Sequence, residues 1–154
     1  MVLKLLAIWS IPSSMDGCSA NLEIENQHDA AVGLLESILA EATHCGYNEQ
    51  ARFGIRLALD EALSNAIHHG NANDPKKRIK VVYSVYDDEI CISIEDEGPG
   101  FAFDSLPDPT SAENLEKSSG RGVLLMQAYM TEVQFNESGN RVTLIKRRNC
   151  PLPL

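Results

Sequence analysis

Two β-branched runs, Ile79-Lys80-Val81-Val82-Tyr83-Ser84-Val85-Tyr86 and Ile90-Cys91-Ile92-Ser93-Ile94-Glu95, stand with Asp87-Asp88 between them. No other feature constrains the fold as much. Branched and aromatic side chains fit a pleated surface, so the pair reads as an antiparallel hairpin. Successive side chains alternate between faces. Ile79, Val81, Tyr83 and Val85 therefore share one face of the first strand, and Ile90, Ile92 and Ile94 share one face of the second. One side of the sheet is strongly apolar, and helices must cover it.

The rest of the chain supplies those helices. Asp29 offers an N-cap for a helix whose apolar residues Val32, Leu35, Ile38, Leu39 and Ala42 keep helical spacing, and Gly46 offers its stop. Asn48 caps a second helix running to Gly70-Asn71, with Ile55, Leu59, Ala62, Leu63 and Ala66 on one apolar arc. Residues 21–25 alternate as a short strand, and residues 71–77 form a turn-rich basic connection. Residues 101–119 have little periodicity and contain Pro107 and Pro109. A structureless loop of that length in a compact domain reads as a mobile lid. Residues 123–130 have the composition of a helix, and strands at 132–136 and 141–146 flank a turn at Ser138-Gly139. The expected architecture is a two-layer α/β sandwich, with helices on one face of a mixed, mostly antiparallel sheet.

Residues 1–20 are expected to be an N-terminal extension, either an extra strand or partly disordered, residues 21–148 the folded domain, and 149–154 a loose tail. The apolar stretch 2–11 has a thin charged flank and no A-x-A cleavage site, which argues against a leader. It is too short to span a bilayer. The balance of 13 Lys and Arg against 22 Asp and Glu leaves a net charge of −9, which repels a polyanion. Nucleic acid is therefore not an expected partner, whereas a protein with basic patches is compatible. Cys18, Cys45, Cys91 and Cys150 are scattered, with no C-x-x-C pair and no His at zinc-finger spacing. The expectation is a reduced, cytoplasmic protein.

Three stretches carry chemistry. Glu61, Asn65 and His69 recur at i, i+4 and i+8, a polar stripe at the edge of the apolar arc. Ala58 and Ala62 border it with side chains small enough to leave room above the helix. A carboxylate followed one turn later by a carboxamide reads as a site; His69 reads as a capping or packing residue near the helix end. The second stretch, Asp96-Glu97-Gly98-Pro99-Gly100-Phe101, directly follows a strand. Its glycines let backbone approach a ligand closely, and Asp96, an acceptor at neutral pH, suits an exocyclic amine such as adenine N6. It lacks the third glycine and the βαβ context of a dinucleotide fingerprint. The third, Ser118-Ser119-Gly120-Arg121-Gly122, enters a helix. Free N–H groups there, with the charge of Arg121, make a natural phosphate cradle. No G-x-x-x-x-G-K-[ST] motif occurs, so this is not a P-loop.

In this order, the E-x-x-x-N, D-x-G-x-G and G-x-G stretches closely resemble the N, G1 and G2 boxes of the GHKL ATPase superfamily. Within it the chain looks like the bacterial anti-sigma-factor serine/threonine kinase family over residues 22–148. That resemblance implies a Bergerat-type ATP-binding fold, with ATP and Mg²⁺ as cofactors. It implies that Asn65 ligands Mg²⁺, that Glu61 is the general base and that Asp96 hydrogen-bonds adenine. Gly98 and Gly100 would shape that end of the pocket, and Gly120 and Gly122 would let the lid close over the phosphates. It further implies phosphorylation of a STAS-domain antagonist, partner switching with a sigma factor, no membrane contact, and a fold that in relatives often works as a homodimer. Where many relatives carry Gly-Thr-Thr in the last hairpin, this chain reads Gly139-Asn140-Arg141. Thr143 lies two positions on, about 6–7 Å along a strand, so the adenine contact there is expected to differ. Two other readings stand beside the kinase: a nucleotide-dependent binding module without transfer, and the catalytic domain of a histidine kinase. The last is disfavoured, since His28 and His44 lie in or beside a helix too short for a phosphoacceptor hairpin.

Overall fold

The structure is a computed structural model that describes residues 17–100 and 118–148. The expectations for residues 1–16, for most of the lid and for the tail lie outside the described residues. The chain runs through β1 (Cys18–Glu25), α1 (His28–His44), α2 (Glu49–Asn65) with a π-helical turn over Ala66–Gly70, β2 (Arg78–Val85) and β3 (Glu89–Glu95). It continues through α3 (Ser118–Tyr129), β4 (Glu132–Phe135) and β5 (Arg141–Arg147).

The five strands form one sheet in the order β1-β2-β3-β5-β4. All four pairings are antiparallel, so the sheet has no parallel pair among the described residues. The connectivity explains it. Strands β3 and β4 do run in the same direction, as a strand–helix–strand crossover requires, but β5 returns between them and pairs with both. The expected hairpin has Val81 opposite Ile94 and Tyr83 opposite Ile92. Register carries Leu22, Val81, Ile94, Val142 and Phe135 across all five strands as one apolar row facing the helices.

The core lies between that face and the helices. Ile38, Ile55, Leu59, Ile79, Ile90, Ile92 and Leu144 are fully buried, each worth about 1.5–3 kcal/mol relative to exposure. Helix α1 begins one residue before Asp29, with Gln27 at the N-cap, so Asp29 sits in the first turn, where its charge favours the dipole. Its buried stripe is Ala31, Leu34, Leu35, Ile38, Leu39 and Ala42. Val32, expected inside, is 38% exposed, because it lies one residue off that stripe. The helix ends as expected: Gly46, at φ +85°, donates to Thr43 O while Tyr47 donates to Ala42 O, the paired bonds of a Schellman cap. Asn48 caps α2, its side chain accepting from Ala51 N at 2.8 Å. Strand β1 starts at Cys18 rather than at residue 21, because residues 18–20 continue the pairing with β2.

Candidate functional site

The C-terminal half of α2, the turn after β3, the β4–β5 hairpin and α3 enclose a cavity of about 270 Å³. Ala62 and Ala66 on α2, Ile94, Val142 and Phe135 on the sheet, and Val123 and Met126 on α3 give it apolar walls. Asn65, His69, Asp96, Asn140 and Arg141 supply its polar groups. Ala58 does not reach it. It is fully buried in the core. His69, expected only to cap or pack, lines the cavity, whereas its neighbour His68 is tied to Asn73 Oδ1 at 2.5 Å.

The polar stripe on α2 holds together and meets α3. A methyl placed on Gly122 would lie 2.9 Å from Glu61 Oε2 and 3.1 Å from Asn65 Nδ2. Both side chains therefore converge on one point under the glycine. Helices α2 and α3 are antiparallel there, since Gly54 faces Tyr129 at the other end of the same contact. Helix α3 starts at Ser118 rather than after Gly122. Gly120 lies in its first turn, where N–H groups have no intrahelical acceptor, while Gly122 is inside the helix and serves as the point of close approach. The Arg121 side chain is exposed. Burial, and then the charge of Asp60, push the Glu61 carboxyl above the usual carboxylate range.

Asp96 closes the other end. Its Oδ1 accepts from Gly98 N at 2.8 Å. Burial raises its pKa, with the Gly98 N–H pulling the other way. Only glycine lets the carboxylate sit on the end of the helix: a Cβ on Gly70 would lie 2.2 Å from the Asp96 carboxyl carbon. Likewise a Cβ on Gly98 would lie 2.0 Å from Gly70 O. Gly100, at φ +76°, abuts Ser138 O of the last hairpin. Sequence reasoning gave His69 only a capping or packing role and missed Gly70 and the buried amides Asn26 and Asn71. In the sequence Asn71 is one more turn residue after a glycine, and nothing in its spacing marks it.

Among the described residues there is no cluster of three or more His, Cys, Asp or Glu that could hold a metal ion. The donor set at Asn65 and Glu61 is one carboxamide and one carboxylate, which suits a hard cation that takes few ligands from protein and the rest from phosphate and water. No disulfide joins Cys18, Cys45 and Cys91 among the described residues, and no helix among the described residues is long and apolar enough to cross a membrane.

Comparison with known proteins places residues 24–146 on the histidine kinase-like ATPase domain. The chain is 29% identical over 126 residues to the serine-protein kinase RsbW of Bacillus subtilis (strain 168), covering 77% of this chain and 79% of that protein. It is 26% identical over 144 residues to RsbW of Bacillus velezensis, covering 89% of each. An anti-sigma F factor of Clostridium perfringens (strain 13 / Type A) is 33% identical over 101 residues, covering 62% of this chain and 71% of that protein.

Proposed function

The chain belongs to the histidine kinase-like ATPase domain family, and from that premise we propose that it is an ATP-dependent serine/threonine protein kinase of the anti-sigma-factor type. One observation carries the reading: a single cavity has a carboxylate, Asp96, at one end and adjoins the convergence of Glu61 and Asn65 at the other. The cavity, about 270 Å³, has room for a planar base. Asp96 Oδ2 accepts from the exocyclic amine of adenine, and the apolar walls take its faces. The triphosphate then runs toward Asn65 and the first turn of α3, where Gly120 and Gly122 allow close approach and Arg121 adds charge.

Asn65 would hold Mg²⁺, which when bound neutralises phosphate charge and orients the γ-phosphoryl group. Glu61 takes the proton of a serine or threonine hydroxyl as that oxygen bonds to the γ-phosphorus, and ADP leaves with the bridging oxygen. The raised Glu61 pKa makes it a better proton acceptor than an exposed glutamate. The substrate we propose is a STAS-domain antagonist. Its phosphorylation frees the kinase to sequester a second partner, a sigma factor, in the cytoplasm.

Calorimetry with Mg-ATP tests the site. The wild-type chain and Glu61→Gln are expected to bind with similar affinity, and Asp96→Asn, which turns an acceptor toward a donor, is expected to lose binding. Equal affinity in Asp96→Asn would overturn the assignment of the base end.

A further inference from the structure

Asn71 is fully buried, and its carboxamide is bonded at both ends. Its Nδ2 donates to Asn26 Oδ1 at 3.2 Å and to Arg78 O at 3.1 Å, and its Oδ1 accepts from Glu97 N at 2.8 Å. Its own N–H closes the π-helical turn on Ala66 O at 2.8 Å. Asn26, also buried, donates in turn to Asp74 O at 2.9 Å. Through this one side chain the end of β1, the start of β2 and the residue after Asp96 are bonded together. Its backbone meanwhile terminates the helix that carries Asn65 and His69.

The other flank of the same turn is held by the last hairpin. Asp96 N donates to Asn140 O at 2.9 Å, and Asn140 Nδ2 returns a bond to Asp96 O at 3.2 Å. Asn140 Oδ1 is fixed by Asn136 Nδ2 at 2.7 Å and Ser138 Oγ at 2.8 Å. With Gly98 N on Oδ1, both backbone groups of Asp96 and one of its carboxylate oxygens are committed.

We infer that Asn71, with Asn140 on the opposite flank, is a positioning residue. It fixes the Asp96 carboxylate against the helix end bearing Asn65, and so sets the preference for a base with an exocyclic amine. The inference rests on the nucleotide-site reading above. Hydrogen bonds weaken with misalignment, so a carboxylate no longer held in place distinguishes an amine from a hydrogen less well. A residue that served only the stability of the fold would change how much protein is folded, not the ratio of two affinities.

The test is competition binding on the full chain between Mg-ATP and the triphosphate of purine riboside, the same nucleotide without the 6-amine. Wild type is expected to prefer ATP by roughly tenfold to a hundredfold, the range for a hydrogen bond to a charged group. Asn71→Ala and the half-buried Asn140→Ala should each reduce that ratio several-fold toward unity. Leu39→Ala, a core change on α1 that lowers stability, should leave it unchanged. If Asn71→Ala does not fold, Asn26→Ala, which releases the Asn71 carboxamide without touching the cavity, decides. A lost preference in Asp96→Asn with the ratio intact in the asparagine variants overturns this inference alone. A wild type without preference, or an Asp96→Asn variant that keeps it, overturns the nucleotide-site reading itself.

Discussion

Gly122→Ala separates the site from the fold. Gly122 lies inside α3 with ordinary helical backbone, so alanine is sterically allowed there and gains about 0.5–1 kcal/mol of helix propensity. The new methyl would lie 2.9 Å from Glu61 Oε2 and 3.1 Å from Asn65 Nδ2. An ordinary contact is about 3.5 Å, so both groups must retreat by about half an ångström. They are the ends of flexible side chains, and the cost of moving them is about 1 kcal/mol. The two contributions nearly cancel, so the melting temperature should move by no more than about 4 °C. Activity should not be spared, because the displaced groups are the proposed base and metal ligand. A misplacement of this order costs ten- to a hundredfold in rate. Calorimetric melting beside a phosphoryl-transfer assay checks both halves. Full activity at an unchanged melting temperature would refute the claim that Glu61 and Asn65 act where they converge.

Gly98→Ala meets backbone rather than flexible ends, with its Cβ 2.0 Å from Gly70 O. It should therefore destabilise by at least 1–3 kcal/mol, read as a lower denaturant midpoint. Glu61→Gln should lower kcat by about 10²–10⁴ at unchanged nucleotide affinity, the usual contribution of a general base, in steady-state kinetics. The same substitution should raise the melting temperature at neutral pH, because the folded state disfavours the Glu61 carboxylate. For a carboxyl whose folded pKa is raised, the native state binds more protons than the unfolded state in the window just above the ordinary value. Stability therefore falls as pH rises through that window. Glu61 and Asp96, whose ordinary values are 4.5 and 3.8, should both contribute in this direction. The gain from Glu61→Gln should vanish below pH 4, which melting at a series of pH values will show.

The sheet was legible because alternation leaves little choice: once Ile79, Val81, Ile92 and Ile94 face one side, register and the covering helices follow. Asn48 and Gly46 marked helix boundaries because each satisfies a defined backbone group. The start of α3 was not legible, since Gly120 and Gly122 score as breakers. The second glycine is held in the helix by packing on Glu61 and Asn65, a contact between segments some sixty residues apart in the chain. The candidate site residues were picked out by donor and acceptor types at fixed spacing, and their roles came from the resemblance to the GHKL boxes. What escaped was what holds them. Asn26, Asn71 and Asn140 act through partners brought close only by the fold, and no periodicity announces such a partner. His69 was read on the polar stripe but not as a pocket residue; it sits in the π-helical turn at the end of α2 and lines the cavity.

Transfer of the γ-phosphate from Mg-ATP to STAS-domain proteins, read by mass spectrometry with Glu61→Gln alongside, tests the central claim most directly. Phosphoserine or phosphothreonine on one such protein, lost in Glu61→Gln, is the expected result. Acid-labile phosphate on a histidine of the chain itself, or no transfer at all despite tight Mg-ATP binding, would contradict it.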